Sequence, residues 1–140
     1  MKKMMLQELI QDHVKLNEAE IRQTIRNRWL LGKDPDGNEI GVYSRSDFGA
    51  EYAFFKNKIN PAAGVGNVDL TLTGALGKGI KVKPLGESFE VFSTDSKFDE
   101  IADKYGDYNF NLSEDEKQVL FDKIMANVLN EIINKSYALL

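Results

Sequence analysis

Cysteine is missing from all 140 residues, and histidine occurs once, at position 13. The first absence removes disulfides, thiolate nucleophiles and zinc–thiolate sites, and it is the usage expected of a reducing compartment such as the cytoplasm. The second means that a Ser-His-Asp or Cys-His arrangement would have to run through His13. That residue sits among Gln11, Asp12 and Lys15 with no nucleophile signature beside it, and reads as an ordinary surface or boundary position. Basic charge is also short. Against 22 Asp and Glu stand 18 Lys and Arg, for a formal net charge of -4, which is the wrong field for nucleic acid as the main ligand. No apolar run approaches the roughly 18 residues of a membrane span. The start, Met1-Lys2-Lys3-Met4-Met5-Leu6, opens as a secretory signal does, but Gln7, Glu8, Gln11 and Asp12 interrupt the apolar stretch such a signal needs. What remains, 42% hydrophobic and 29% charged, is the composition and length of a single globular domain spanning residues 1–140.

Hydrophobic spacing predicts the elements. Leu6, Leu9, Ile10, Val14, Ile21, Ile25 and Trp29 recur near a 3.6-residue period, so residues 4–31 read as one long helix or as two meeting near Asn17, with Asn17 and Glu20 as a capping box and Gly32 as the stop. Residues 32–41 are turn chemistry. Residues 46–58 read as a short helix capped by Ser44 or Ser46, with Phe48, Tyr52 and Phe55 on one face, and 59–67 as a small-residue loop without reason to be rigid. Val68, Leu70 and Leu72 alternate with Asp69, Thr71 and Thr73, which predicts a strand. Ile80 and Val82 alternate with Lys81 and Lys83, which predicts another, and residues 89–93 a third, with a hairpin at Gly86 between the last two. Residues 95–105 form a further short helix ending at Gly106. Ser113 and Glu116 are a capping box that opens a final helix carrying Val119, Leu120, Ile124, Val128, Leu129, Ile132 and Ile133. The expected fold class is α+β: a small antiparallel sheet of three or four strands packed by the N- and C-terminal helices.

The candidate constellations fail on spacing. A calcium loop beginning at Asp34 wants Gly at its sixth position and Glu at its twelfth, where this chain has Glu39 and Arg45. The glycines from Gly74 to Gly79 lack the interval of a phosphate loop, and Ile80 stands where its lysine belongs. Asp99, Glu100, Asp103, Glu114, Asp115 and Glu116 are accounted for by helix faces and caps. Phe48, Tyr52, Phe54 and Phe55, near Arg45, Lys56 and Lys58, fit a core stripe with a basic outer face better than a base-stacking platform. Lys78, Lys81 and Lys83 cluster around the second strand, where charge guards an edge or docks an acidic partner. The sequence therefore predicts no catalytic, cofactor or metal residue.

Four segments in order resemble the small neck and tail-completion proteins of tailed bacteriophages: Trp29-Leu30-Leu31-Gly32 running through Asp34-Pro35-Asp36-Gly37 to Ile40-Gly41-Val42-Tyr43-Ser44; Tyr52 to Lys58; Val68-Asp69-Leu70-Thr71-Leu72-Thr73-Gly74-Ala75-Leu76; and Tyr105-Gly106, Phe110-Asn111-Leu112-Ser113 and the long final helix. They span about residues 29–134. Many relatives carry Asp-Thr-Gly where this chain has Leu72-Thr73-Gly74. The resemblance implies a non-enzymatic virion subunit without cofactor, assembled in the host cytoplasm into a ring between portal or adaptor and tail proteins, away from membranes and without sequence-specific nucleic acid binding. Its subunit or partner interface would fall on the loop and strand positions Asn60, Gly64, Gly66, Asp69, Thr71, Thr73, Gly74, Lys78, Lys81 and Lys83. A small prophage or host adaptor domain, binding a protein through its C-terminal helix, is the second expectation, and a small hydrolase with a carboxylate pair converging in a deep pocket is the third. An exposed apolar stripe on residues 117–133 would favour the second.

Overall fold

The computed structural model describes residues 3–41, 55–64, 67–70, 74–86 and 88–138. The N-terminal periodicity resolves into two helices, α1 (Lys3–Leu16) and α2 (Glu18–Leu30). The expected capping box at their junction does not form. The Asn17 side chain turns back and donates to the His13 carbonyl at 2.7 Å, and the Glu20 carboxylate pairs with Lys123 instead. The stop at Gly32 is as expected. With φ at +70°, it lets its own N–H bond Trp29 O at 2.8 Å and the Lys33 N–H bond Arg28 O at 3.2 Å, the paired closure of a helix ending in a left-handed residue.

In the turn that follows, a bridge joins Lys33 to Glu39. Asp34 Oδ1 accepts from the N–H groups of Asp36 and Asn38, both at 2.9 Å, so its oxygen serves the backbone rather than an ion. Residues 55–59 are helical. The expected cap at Ser44 or Ser46 and the stripe positions Phe48 and Tyr52 lie outside the described residues; Phe55, the third member of that stripe, is exposed. The described residues of the 59–67 stretch, 59–64 and 67, are more ordered than their small side chains suggest. Pro61–Ala63 form a 3-10 turn, and the Asn60 and Asn67 amides tie it down by donating to Leu30 O and Ala63 O, each at 2.7 Å.

The sheet among the described residues has two strands, not three or four. β1 (Ile80–Leu85) and β2 (Ser88–Ser93) pair antiparallel, with Val82 opposite Val91 and Lys83 opposite Glu90. Residues 68–70 of the expected first strand do not alternate. Val68 and Asp69 are both buried, and Leu70 is left-handed at φ +55°. Residues Ala75–Lys78 make one helical turn in place of an approach to the second strand. At residues 68–70 the physical reason is Asp69, held by Lys56 and Asn60. A carboxylate out of water requires partners, and the backbone follows that need rather than the period of two.

Two helices follow the hairpin, α3 (Phe98–Tyr105) and α4 (Glu114–Ala138), with a 3-10 turn at Asp107–Phe110 between them. The capping box that opens α4 is as expected: Glu116 N–H bonds Ser113 Oγ at 3.1 Å, and Ser113 N–H bonds Glu116 Oε1 at 2.7 Å. The hairpin's inner face (Ile80, Val82, Val91) joins Leu9 and Val14 of α1, Ile21, Ile25 and Trp29 of α2 and Leu120, Ile124 and Val128 of α4 in one core. Trp29 and Phe110 meet edge to face at 5.1 Å. The Trp29 indole N–H finds Asn109 O at 2.9 Å, so the largest core side chain leaves no polar atom stranded. The fold is thus α+β, a two-stranded antiparallel sheet packed by N- and C-terminal helices.

Candidate functional site

α4 is built from two parallel ridges of apolar side chains at four-residue spacing. Leu120, Ile124 and Val128 are buried, and Ile132 packs against them. One position along, Phe121, Leu129 and Ile133 are 57%, 53% and 49% exposed, with Met125 half-buried between them. Residues four apart sit one above the other on a helix, so this second ridge is continuous over about 18 Å at 1.5 Å per residue. Apolar side chains so grouped mark an interaction surface more often than a chance exposure. Val119, 67% exposed, lies on another side of the helix.

The ridge stands on a braced helix. At its start, Glu116 also receives Arg28, whose other guanidinium nitrogen reaches Asn109 O and Asn111 O, both at 2.8 Å. Further along, His13 on α1 and Glu131 on α4 meet at 2.7 Å. The bonds from His13 and Lys135 hold the Glu131 carboxyl below the ordinary carboxylate range. Beside α4, a groove of about 440 Å³ runs between α1 and the hairpin, with Leu6, Ile10, Phe89, Phe121 and Ile124 in its walls. A smaller cleft of about 280 Å³ between α2 and the start of α4 carries three carboxylates, Glu20, Asp115 and Glu116. Glu116 is taken by Arg28 and the cap, and Glu20 by Lys123.

The predicted interface positions fall into separate local groups. Asn60 and Asp69 do come together, but as interior structure. Asn60 Nδ2 donates to Asp69 Oδ2 at 2.9 Å, and Lys56 Nζ lies 2.5 Å from Asp69 Oδ1. Lys56 and Asp69 are 3% and 1% exposed, so neither presents its charge to a partner. Gly64 closes the 3-10 turn, its N–H on Pro61 O at 3.1 Å. Gly74, at φ +76°, precedes the Ala75–Lys78 turn, and its carbonyl accepts from the Lys78 N–H at 2.9 Å. Lys78 and Lys83 are exposed, whereas Lys81 is half-buried and lies 3.8 Å from Glu18. Gly66, Thr71 and Thr73 lie outside the described residues.

Sequence reasoning missed Glu18. It opens α2 and reaches over to β1, where its carboxylate accepts from the Val82 N–H at 2.9 Å and from Lys15 at 2.6 Å. Burial raises this carboxyl, but the bonds from Lys15 and Val82 outweigh it and hold it below its ordinary value of 4.5. The one signal available was an acidic residue in the first turn of α2, where the helix dipole favours it. Among the described residues, no group of three or more His, Cys, Asp or Glu is placed to hold a metal ion, and no helix is long and apolar enough to cross a membrane. Comparison with protein-family models, with curated proteins and with solved structures found no match to this chain.

Proposed function

We propose that the protein works by associating with other protein chains, and that the outward ridge of α4 is its main contact surface. The observation that carries this is the continuous exposure of Phe121, Leu129 and Ile133 on a helix whose neighbouring ridge is fully engaged in the core. A second apolar ridge of this geometry suits packing against another helix.

The finer reading is a structural subunit of a phage head–tail connector. It would close into a ring between portal or adaptor and tail, act in the virion, and use neither a reaction nor a cofactor. The ordered sequence segments from Trp29 to the final helix support it, and so does a contact surface suited to the heterologous packing by which rings close. The second reading, an adaptor domain that binds one partner through its C-terminal helix, is the one favoured by an exposed apolar stripe within residues 117–133, which Phe121, Leu129 and Ile133 supply. Native mass spectrometry with negative-stain imaging of the purified protein separates the two. A closed ring of identical chains supports the connector, a monomer that forms a one-to-one complex with a helical partner supports the adaptor, and a monomer that neither self-associates nor enters virions removes the connector.

A further inference from the structure

α2 carries three arginines, Arg22, Arg26 and Arg28, and two of them are spent inside the chain. Arg22 Nε donates to Ile80 O at 2.9 Å, and its guanidinium pairs with Glu18 at 3.3 Å. With Lys15 on Val82 O and Glu18 on the Val82 N–H, both at 2.9 Å, it seals main-chain groups of β1. Arg28 is held by Glu116, Asn109 O and Asn111 O. Arg26 is half-buried, yet its side chain makes no hydrogen bond or ion pair. The helix supplies no carboxylate for it: three and four positions away stand Arg22, Gln23, Trp29 and Leu30. Its course is nevertheless set by Gly77, which is buried beneath it. A Cβ at that position would meet Arg26 Cγ at 2.9 Å and Cδ and Nε at 3.0 Å, so the arginine stem lies directly on the glycine. The guanidinium then runs on to Gly74, where Nη2 comes within 4.0 Å of the point a Cβ would occupy. Lys78 brings its Cε to 3.7 Å from the same point. Lys78 is exposed, and its ammonium has no partner either.

We propose that Arg26 and Lys78 form a carboxylate-binding site, seated over Gly74, for an acidic segment of a partner protein. The two cationic side chains converge on one point with no counter-charge, an arrangement that repels itself until an anion enters. A guanidinium offers a planar fork that matches the two oxygens of a carboxylate, and an ammonium adds a donor that swings on its own stem. The seat on Gly77 holds the fork in place, so less side-chain freedom is lost on binding. The charge balance favours a protein carboxylate over nucleic acid. Affinity for a phosphate backbone grows with the number of phosphates neutralised, and two free cations on a chain of net charge -4 neutralise few. The next cations along, Arg22 and Lys81, are already turned to Glu18. The inference rests on reading this protein as one that associates with other chains. It uses no residue of α4, so the two contacts are tested separately.

Nitrogen–proton correlation NMR on the full chain, titrated with a blocked hexaglutamate peptide, tests it. The Arg26 Nε–H signal and the Gly74, Gly77 and Lys78 amides are expected to shift together and saturate, with a Kd of about 1 mM for a single weak site. Raising salt from about 0.1 M to about 1 M cuts the screening length from about 10 Å to about 3 Å and should weaken binding roughly tenfold. Arg26→Gln with Lys78→Gln should abolish the saturable shifts. Gly77→Ala keeps both charges but displaces the arginine stem. It should weaken binding roughly tenfold, which net charge alone would not do. Dispersed amide spectra confirm that the variants are folded, and the paired Gln substitutions decide the matter if Gly77→Ala is not. The absence of a saturable shift in the wild-type chain overturns the proposal, even if the protein assembles through α4. So does binding that survives Arg26→Gln with Lys78→Gln, or that a folded Gly77→Ala leaves unchanged. Inorganic phosphate that saturates the same signals at a lower concentration than hexaglutamate overturns the choice of a carboxylate.

Discussion

Asp69 is the residue on which local structure turns. Its carboxylate is 1% exposed and held by Lys56 and Asn60. Removing one member of a buried ion pair leaves the other uncompensated, at about 3–5 kcal/mol. Asp69→Leu should therefore lower stability by that order in chemical denaturation. Lys56→Met with Asp69→Leu should recover much of the loss, since a well-packed apolar pair needs no partner. Gly74 makes a second, smaller prediction. At φ +76° a side chain is strained by about 1–2 kcal/mol, so Gly74→Val should cost at least that in a thermal melt. His13→Ala, by contrast, removes only one tie to Glu131, and should cost less. These residues also show where sequence reading ran out. Asp69 sits at an outward position of an apparent alternating strand, and nothing local announces that Lys56, thirteen residues earlier in the chain, will fold over it. Asn17 carries a capping signature, yet its amide does better on the carbonyl of His13.

At the scale of elements, the features decided by neighbours in sequence were the legible ones. The Ser113–Glu116 box, the Gly32 stop and the hairpin at Gly86 each depend on residues a few positions apart, and each is where local chemistry puts it. Ser113→Ala should accordingly cost about 1 kcal/mol through loss of the α4 cap. The sealing of β1 was not legible, because it joins Lys15, Glu18 and Arg22 to a strand more than fifty residues away. Its chemistry does give a pH signature. Glu18 and Glu131 both titrate below the ordinary carboxylate value in the folded chain. Each contributes stability that is fully present above that value, 4.5, and is lost as pH falls through the lower folded one. Stability should hold down to about pH 4.5 and then drop. Glu18→Gln should make the acid limb shallower, as measured by urea midpoints across the pH series.

For the whole molecule, the periodicity of α4 did not say which of its apolar residues the core would use. The sequence counts Leu129 and Ile133 alongside Leu120 and Val128; packing against α1 and α2 engages one ridge and leaves the next outside. That surplus is the basis for reading the protein as an associating subunit. Sedimentation velocity on the wild-type chain and on Leu129→Glu with Ile133→Glu tests the reading most directly, with the melting temperature as a control because both side chains are about half exposed. The expected result is a wild-type assembly that the double variant loses while its melting temperature stays within a few degrees, as surface changes generally allow. Identical sedimentation of the two proteins, at every concentration, would contradict the claim that copies of this chain associate through the α4 ridge.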